Sequence, residues 1–242
     1  MACLPKADMN FRNEIGRGAV SVDKHDKIDK VRKLAGMAVC KIQLANGVGS
    51  GAFYNVLDNY GRDRFLVMTC NHVLPTTSIN YISKVQFMFY DIPQMNSITL
   101  DKTQVKFVWT QILLDATVIE ISPSIATLYK SYGAQFLQIG EVKSNVDVVI
   151  LQYPNGKFSI ADGDIESING TQVFYKIGTE PGSSGSPLLD LNCVALAMHN
   201  SGLNVSTCTD PSAIRKATAL KAVVSAYLKD KPNIELDSNI LK

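Results

Sequence analysis

A short loop of glycine and serine, GSSGS at residues 182–186, has the composition that a nucleophilic serine requires. Such a serine needs a sharp turn that glycine permits, and backbone N–H groups that point at the developing oxyanion. We therefore expect Ser184 to be the nucleophile and the N–H groups of Gly182 and Ser184 to form an oxyanion hole. An ordinary turn between two strands would have the same composition, so the loop alone does not decide.

A serine nucleophile needs a general base, and the chain contains three histidines, His25, His72 and His199. His25 lies in a charged N-terminal segment and is expected to be solvated. His72 follows the apolar run FLVMT and begins a predicted helical turn. A base at the end of a strand is held rigidly, as proton transfer requires. His72 is thus the candidate base, with a partly buried structural histidine as the alternative.

The candidate base also needs a carboxylate that orients its ring. Asp115 lies between apolar residues directly before the run ATVIEI. A buried carboxylate is costly there unless it is paired, and an imidazole N–H would be a suitable partner. The alternative is an aspartate in the turn that leads into a strand. Asp91 and Asp101 are weaker candidates because their surroundings are more polar.

The elements that must position these residues are mostly short strands, separated by turn sequences such as ANGVGSG and YPNGK. This pattern predicts an all-β barrel or sandwich. The predicted strands are 38–44, 51–57, 64–69, 84–90, 104–110, 116–121, 146–153, 171–177, 186–191 and 193–199. Helical spacing predicts a short N-terminal helix that stops at Gly36 and a second helical candidate at 122–133. It also predicts a C-terminal helix with apolar positions from Ile214 to Tyr227, ending before Pro232.

Composition limits the class of protein. Of the 242 residues, 46% are hydrophobic and 19% are charged, so the chain can form a substantial core. A net charge of +2 gives no reason to expect nucleic-acid binding. Since no membrane-spanning run and no apolar signal core occur, we expect a cytoplasmic or nuclear protein. Five cysteines without a CxxC pair favour buried reduced thiols over disulfides or a zinc site.

The order His72, Asp115, Ser184 resembles that of the chymotrypsin-like (trypsin-fold) serine proteases. Further motifs resemble that family in the same order along the chain. They are GSGAFYNV (49–56), TCNHVL (69–74), DATVIEI (115–121), VVILQYPNGK (148–157), PGSSGSPLLD (181–190) and LAMHNSG (196–202). The GSSGSP sequence is most similar to the glutamyl endopeptidases and to certain intracellular trypsin-like peptidases.

This resemblance implies an all-β fold of two six-stranded antiparallel β-barrels with a C-terminal helix and a short N-terminal helix. The barrels would divide near residues 122–145, within a peptidase domain of residues 37–242 that follows an extension of residues 1–36. Ser183 stands where secreted trypsins have an aspartate that binds a newly cut N-terminus, and no Ile-Val-Gly-Gly start occurs near residue 20. Val73 replaces the cysteine that follows the histidine in trypsins. The resemblance therefore implies neither that zymogen switch nor that disulfide.

The resemblance also implies an S1 pocket lined by Thr179 and His199. Their hydroxyl and imidazole can hydrogen-bond the carboxylate or amide oxygen of a P1 Glu or Gln. Gly178 occupies the position of the trypsin acid, so a preference for Arg or Lys is not expected. A small apolar P1 residue stays open, and so does a core role for His199. The residues expected to pair their main chain with an extended substrate are Asn200, Ser201 and Gly202.

We therefore predict a serine endopeptidase that acts on protein or peptide substrates without a metal or cofactor, its oligomeric state left open. The chief alternative is a protease-like fold that serves as a catalytically inactive binding module, because the presence of three residues does not establish their alignment. A hydrolase of another fold with a GxSxG elbow is disfavoured. Ser186 stands where that elbow needs glycine, and that fold has the order Ser, Asp, His.

Overall fold

The computed structural model describes residues 22–45, 47–90, 92, 95–202 and 213–240. The helices are α1 (Val22–Ala35), α2 (Ile79–Ile82), α3 (Pro123–Ser131) and α4 (Leu220–Ile240). The strands are β1 (Val39–Leu44), β2 (Gly47–Leu57), β3 (Asp63–Thr69), β4 (Gln86–Phe89), β5 (Val105–Gln111), β6 (Ala116–Ile121), β7 (Asp147–Gln152), β8 (Ser159–Asn169), β9 (Gln172–Lys176), β10 (Pro187–Leu189), β11 (Ala195–Gly202) and β12 (Arg215–Ala219).

The strands form two six-stranded antiparallel sheets. The first, barrel-like sheet has the order β4-β1-β2-β3-β6-β5. The second closes into a barrel with the order β10-β11-β12-β9-β8-β7. The predicted fold class is therefore confirmed, including the C-terminal helix α4 and the short N-terminal helix α1.

The hydrophobic core continues from the first sheet into the second barrel. Strand β6, in which β-branched residues predominate, is buried at every position. In β2, Phe53 stacks on Phe136 with ring centroids 5.1 Å apart. The same cluster of buried side chains includes Leu151 of β7 and Met198 of β11. Because the two barrels share this core, loops from both are held at fixed positions along their interface.

The C-terminal helix begins later and ends later than the sequence predicts. Residues 215–219 form strand β12, and α4 continues through Pro232 to Ile240. Strand β12 pairs with both β11 and β9 and so closes the second barrel. These pairings satisfy the backbone groups of the strand, and they override the helical spacing of its apolar residues.

Strand β8 was also missed, because the sequence ADGD (residues 161–164) was interpreted as a turn. Gly163 lies inside this strand, where a Cβ atom would come within 2.1 Å of the Lys176 carbonyl oxygen on β9. Glycine is needed here for the close approach of two strands and not for a turn.

A buried cluster of charges fastens α4 to the first sheet. Glu120 of β6 is 2% exposed and accepts a hydrogen bond of 3.0 Å from Arg64. Its other carboxylate oxygen contacts Tyr227 and Lys231 of α4. Burial alone would raise the pKa of Glu120, but the bonds from Lys231, Tyr227 and Arg64 outweigh it and lower the pKa.

Within the described part of the chain, none of the helices combines the length and apolarity of a membrane span.

Candidate active site

The serine loop between β9 and β10 depends on two glycines with positive φ. Gly182 has a φ of +99°, and Gly185 has a φ of +92°. A Cβ at position 185 would lie 2.0 Å from the Ser50 carbonyl oxygen, and one at position 182 would lie 2.5 Å from the Tyr153 carbonyl oxygen. Both the backbone conformation and the available space therefore require glycine on each side of the predicted nucleophile.

Ser50 of β2 ties the serine loop to the first barrel. Its N–H donates to the Ser184 carbonyl at 2.8 Å, and its hydroxyl donates to the Gly182 carbonyl at 2.7 Å. The same hydroxyl accepts from the Tyr153 N–H at 3.1 Å. Ser50 was not identified from the sequence, since nothing in the run GVGSGAF distinguishes it from other small residues of a strand.

Two backbone N–H groups of the serine loop remain available. The carbonyl oxygens of Gly182 and Ser184 are occupied by Ser50. Among the described residues, neither the Gly182 N–H nor the Ser184 N–H finds an acceptor. Two unpaired donors beside a serine hydroxyl have the chemistry of an oxyanion hole, because they can bind an oxygen that gains negative charge.

His72 and Asp115 are brought together by the first barrel. The distance from His72 Nδ1 to Asp115 Oδ2 is 2.8 Å, and the His72 backbone N–H donates to Asp115 Oδ1 at 3.0 Å. Asp115 has a φ of +48°, a left-handed conformation that aspartate adopts more readily than most residues. Burial alone would raise the pKa of Asp115, but the bonds from His72 and Asn200 outweigh it and lower the pKa. The carboxylate is thus ionised at neutral pH.

Asn200 connects this pair to the serine. Its side-chain Nδ2 donates to Asp115 Oδ2 at 3.0 Å, while its Oδ1 accepts from the Thr218 hydroxyl at 2.9 Å. The Asn200 carbonyl accepts from Ser184 Oγ at 3.1 Å. The sequence suggested only a main-chain role for Asn200, and its side-chain bond to Asp115 was missed because it depends on the packing of one barrel on the other.

The serine hydroxyl does not bond to the candidate base. Among the described residues, no hydrogen bond joins Ser184 Oγ to His72, because the hydroxyl donates to Asn200 instead. His72 is about half exposed, at 49% for its side chain. The structure therefore brings His72 to Asp115 and Ser184 to Asn200. Asn200 connects the two pairs, because it also donates to Asp115.

Thr179 and His199 both lie in the interior of the second barrel, at 4% and 3% exposure. The His199 Nδ1 lies 2.6 Å from the Tyr175 hydroxyl, and Thr179 Oγ1 accepts from Arg215 Nε at 3.1 Å. Burial, the largest cause, and the charge of Arg215 lower the pKa of His199 to about 3. The imidazole is thus neutral at physiological pH. Neither Tyr175 nor Arg215 was identified from the sequence.

This depressed pKa makes stability sensitive to acid. At pH values between about 3 and 6.5, the ordinary pKa of histidine, the unfolded state binds more protons at His199 than the folded state does. The free energy of unfolding should therefore fall as the pH falls through this window, by up to about 1.4 kcal/mol per pH unit. We expect His199→Gln to flatten the dependence in urea unfolding across the window. Equal slopes for wild type and His199→Gln would contradict this assignment.

Ser201 and Gly202 lie at the end of β11 and pair with Lys216 and Arg215 of β12. On the other side, the pairing of β11 with β10 ends at Met198. Within the described residues, no strand covers this second edge beyond Met198. An extended peptide can add to such an edge through main-chain hydrogen bonds.

One group of side chains near the site could in principle hold a metal. Ligand atoms of Cys70, His72 and Asp115 lie within 4.8 Å of one another. Burial raises the pKa of Cys70 well above its ordinary value, so the thiol stays protonated, whereas metal binding requires a thiolate. His72 and Asp115 already bond to each other. This donor set therefore does not fit a metal centre.

The other candidates lie away from the site or outside the described residues. Asp101 accepts hydrogen bonds from Thr103 and Gln104 in its own turn. Asp91 lies outside the described residues. His25 of α1 is partly exposed and lies 3.8 Å from the Asp29 carboxylate.

Comparison with known proteins places the chain in a family. The model of the trypsin-like peptidase domain matches residues 49–198, more than half of the chain. Among solved structures, an inactive mutant form of Rv3671c from M. tuberculosis is 18% identical, covering 88% of this chain and 95% of that chain, with a TM-score of 0.60. No curated protein sequence matched.

Two further solved structures are similar. A serine endoprotease from Yersinia pestis is 15% identical, covering 84% of this chain and 65% of that chain, with a TM-score of 0.57. A serine protease of a human pathogenic astrovirus is 19% identical, covering 77% of this chain and 91% of that chain, with a TM-score of 0.50. These likenesses support the chymotrypsin-like fold, and the matched segment includes His72, Asp115 and Ser184. The chain belongs to the trypsin-like peptidase family and is a serine-type endopeptidase whose substrates are proteins or peptides.

Proposed function

We propose that His72, Asp115 and Ser184 form the catalytic triad of this endopeptidase. The observation that carries the proposal is the pair of hydrogen bonds from His72 to Asp115, which join residues 43 positions apart in the chain. They direct Nδ1 of the ring towards the carboxylate. Nε2, on the opposite side of the ring, is then the nitrogen that can accept a proton from a serine.

In the proposed mechanism, the Ser184 side chain first rotates from the Asn200 carbonyl, so that its hydroxyl donates to His72 Nε2. Catalytic hydrogen bonds are often long or poorly aligned without substrate and tighten in the Michaelis complex. Ser184 Oγ attacks the scissile carbonyl carbon while its proton passes to Nε2. The ionised Asp115 stabilises the imidazolium that results.

The tetrahedral intermediate places its oxyanion against the N–H groups of Gly182 and Ser184. His72 then donates its proton to the leaving amine as the C–N bond breaks, and an acyl-enzyme on Ser184 remains. A water molecule gives its proton to His72 and attacks the ester carbonyl. The acid product leaves, and the serine recovers its proton from the imidazolium.

We propose a P1 preference for Glu or Gln, through the S1 residues Thr179 and His199. The Thr179 hydroxyl accepts from Arg215 and can donate its own proton to an oxygen at the end of a P1 side chain. His199 would do so by exchanging one of its present partners, the Tyr175 hydroxyl or the Lys216 backbone, for that oxygen. Both S1 residues lie in the interior of the second barrel, where a hydrogen bond discriminates more strongly than at the surface. The edge of β11 at residues 200–202, which lies beyond the pairing with β10, would align the substrate main chain.

A fluorophosphonate probe, which reacts with activated serines, tests the proposed nucleophile. We expect the wild-type protein to be labelled and Ser184→Ala to remain unlabelled. Ser183→Ala is the matched control, since it removes the neighbouring hydroxyl, which accepts from the Glu180 N–H within the loop. Its labelling should persist.

Absence of labelling in a folded wild-type protein would overturn the proposed triad. A catalytically inactive binding module would then account better for the hydroxyl that donates to Asn200. Labelling that persisted in Ser184→Ala would instead assign the reactive group to another residue.

A further inference from the structure

Arg215 is the largest fully buried side chain among the described residues, with no solvent exposure. It is the first residue of β12, where it pairs with Tyr175 of β9 and Gly202 of β11. A guanidinium in a barrel interior is unusual, because burial of a permanent charge is costly.

The side chain of Arg215 reaches the residues expected to form the S1 pocket. Its Nε donates to Thr179 Oγ1 at 3.1 Å. Alternate residues of a strand face the same side, so Arg215 shares a face with Ala217, which pairs with His199. Arg215, Thr179 and His199 thus converge on one region of the barrel interior.

His199 supplies no charge to this region. Its ring is hydrogen-bonded to the Tyr175 hydroxyl at 2.6 Å and to the backbone of Lys216. Burial and the nearby charge of Arg215 keep the ring neutral at physiological pH, since both lower its pKa. Among the described residues, Arg215 therefore supplies positive charge beside Thr179.

We propose that Arg215 is a specificity-determining residue of the S1 pocket and selects a P1 side chain that carries a carboxylate, Glu or Asp, over Gln. This inference rests on the proposed function, because it assigns the charge preference of the same pocket. A guanidinium presents only donors, in a fork that matches the two oxygens of a carboxylate. A Gln amide offers one acceptor, and its NH2 group would face further donors.

The inference distinguishes Glu from Gln, two side chains of nearly equal size. The test is hydrolysis of fluorogenic tetrapeptide libraries whose P1 residue is fixed as Glu, Asp or Gln. For the wild-type protein we expect kcat/KM for Glu to exceed that for Gln by at least about 30-fold, the effect of a buried charge-assisted hydrogen bond. In Arg215→Gln the rate for Glu should fall by about the same factor, while the rate for Gln changes by less than about threefold.

Two further variants separate the role of Arg215 from general damage. Arg215→Lys keeps the charge and loses the fork, so a reduced preference for Glu should remain. Lys176→Gln removes a positive charge from the outside of the same barrel, where Lys176 pairs with Glu166 at 3.2 Å. It should retain the wild-type ratio of Glu to Gln hydrolysis. Labelling of each variant by the fluorophosphonate probe reports whether Ser184 is still activated.

The outcomes separate this inference from the proposed function. A labelled wild type that hydrolyses Glu and Gln substrates within about threefold of each other overturns the role of Arg215 but leaves the triad in place. A labelled Arg215→Gln variant that keeps the wild-type ratio of Glu to Gln hydrolysis also overturns the role of Arg215 and leaves the triad in place. If Arg215→Gln fails to fold, the wild-type ratio and Arg215→Lys decide. A folded wild type that is neither labelled nor active removes the proposed function, and the inference falls with it.

Discussion

Asp115→Asn should lower kcat about 10⁴-fold and leave the fold intact. In the wild-type structure the carboxylate accepts three hydrogen bonds, two from His72 and one from the Asn200 side chain. An asparagine in the same position offers one acceptor oxygen and one donor NH2 group. In either orientation of the amide, at least one pair of donors would face each other.

The catalytic loss follows from the tautomer of His72. If the asparagine NH2 donates to Nδ1, the imidazole proton lies on Nε2. The ring can then no longer accept the proton of Ser184, and an imidazolium would lose the opposing charge of Asp115. The effect should appear in kcat for peptide hydrolysis and in the rate of fluorophosphonate labelling.

Asp101→Asn is the matched control, because it makes the same chemical change at a carboxylate that bonds only within its own turn in the described residues. It should keep wild-type kcat. Near-normal activity of Asp115→Asn would contradict the proposed role of Asp115. If circular dichroism shows that Asp115→Asn is unfolded, the rate of fluorophosphonate labelling of Asn200→Ala becomes the test. That substitution removes one of the three donors, and a moderate loss is expected.

Glu120→Gln is expected to destabilise the protein by about 3–5 kcal/mol, because breaking a buried ion pair by removing one of its charges is costly. Arg64 keeps a second carboxylate partner, Asp58, at 2.8 Å. Lys231 of α4 is 4% exposed and loses its contact with an ionised carboxylate. The loss should therefore fall mainly on the attachment of α4 to the first sheet.

Thermal unfolding measures this loss, and we expect Tm to fall by roughly 10 °C. The matched control is Glu141→Gln. It removes the carboxylate partner of Lys221, which lies on α4 as Lys231 does. That pair is exposed, so its removal should cost less than about 1 kcal/mol. Equal effects of the two substitutions would contradict the assignment of α4 anchoring to the buried cluster around Glu120.

The sequence by itself predicted the fold class and the family, and both are confirmed. Short strand-like runs and turn sequences are local signals, so they can be found without knowledge of the partners of each strand. The candidate triad was also found from local context and chain order. The contact between His72 and Asp115 agrees with that prediction, although the catalytic roles stay predictions until they are tested.

Only the tertiary structure could assign β12, since its residues have helical spacing and become a strand by pairing with β9 and β11. The same holds for Ser50, the side chain of Asn200 and Arg215. Each of these acts through contacts with residues distant in the chain, which no local pattern encodes. The sequence therefore determined which residues could carry the chemistry, whereas the packing of two barrels decided what surrounds them. The physical reason is that the energies of burial and hydrogen bonding depend on neighbours in space and not on neighbours in the chain.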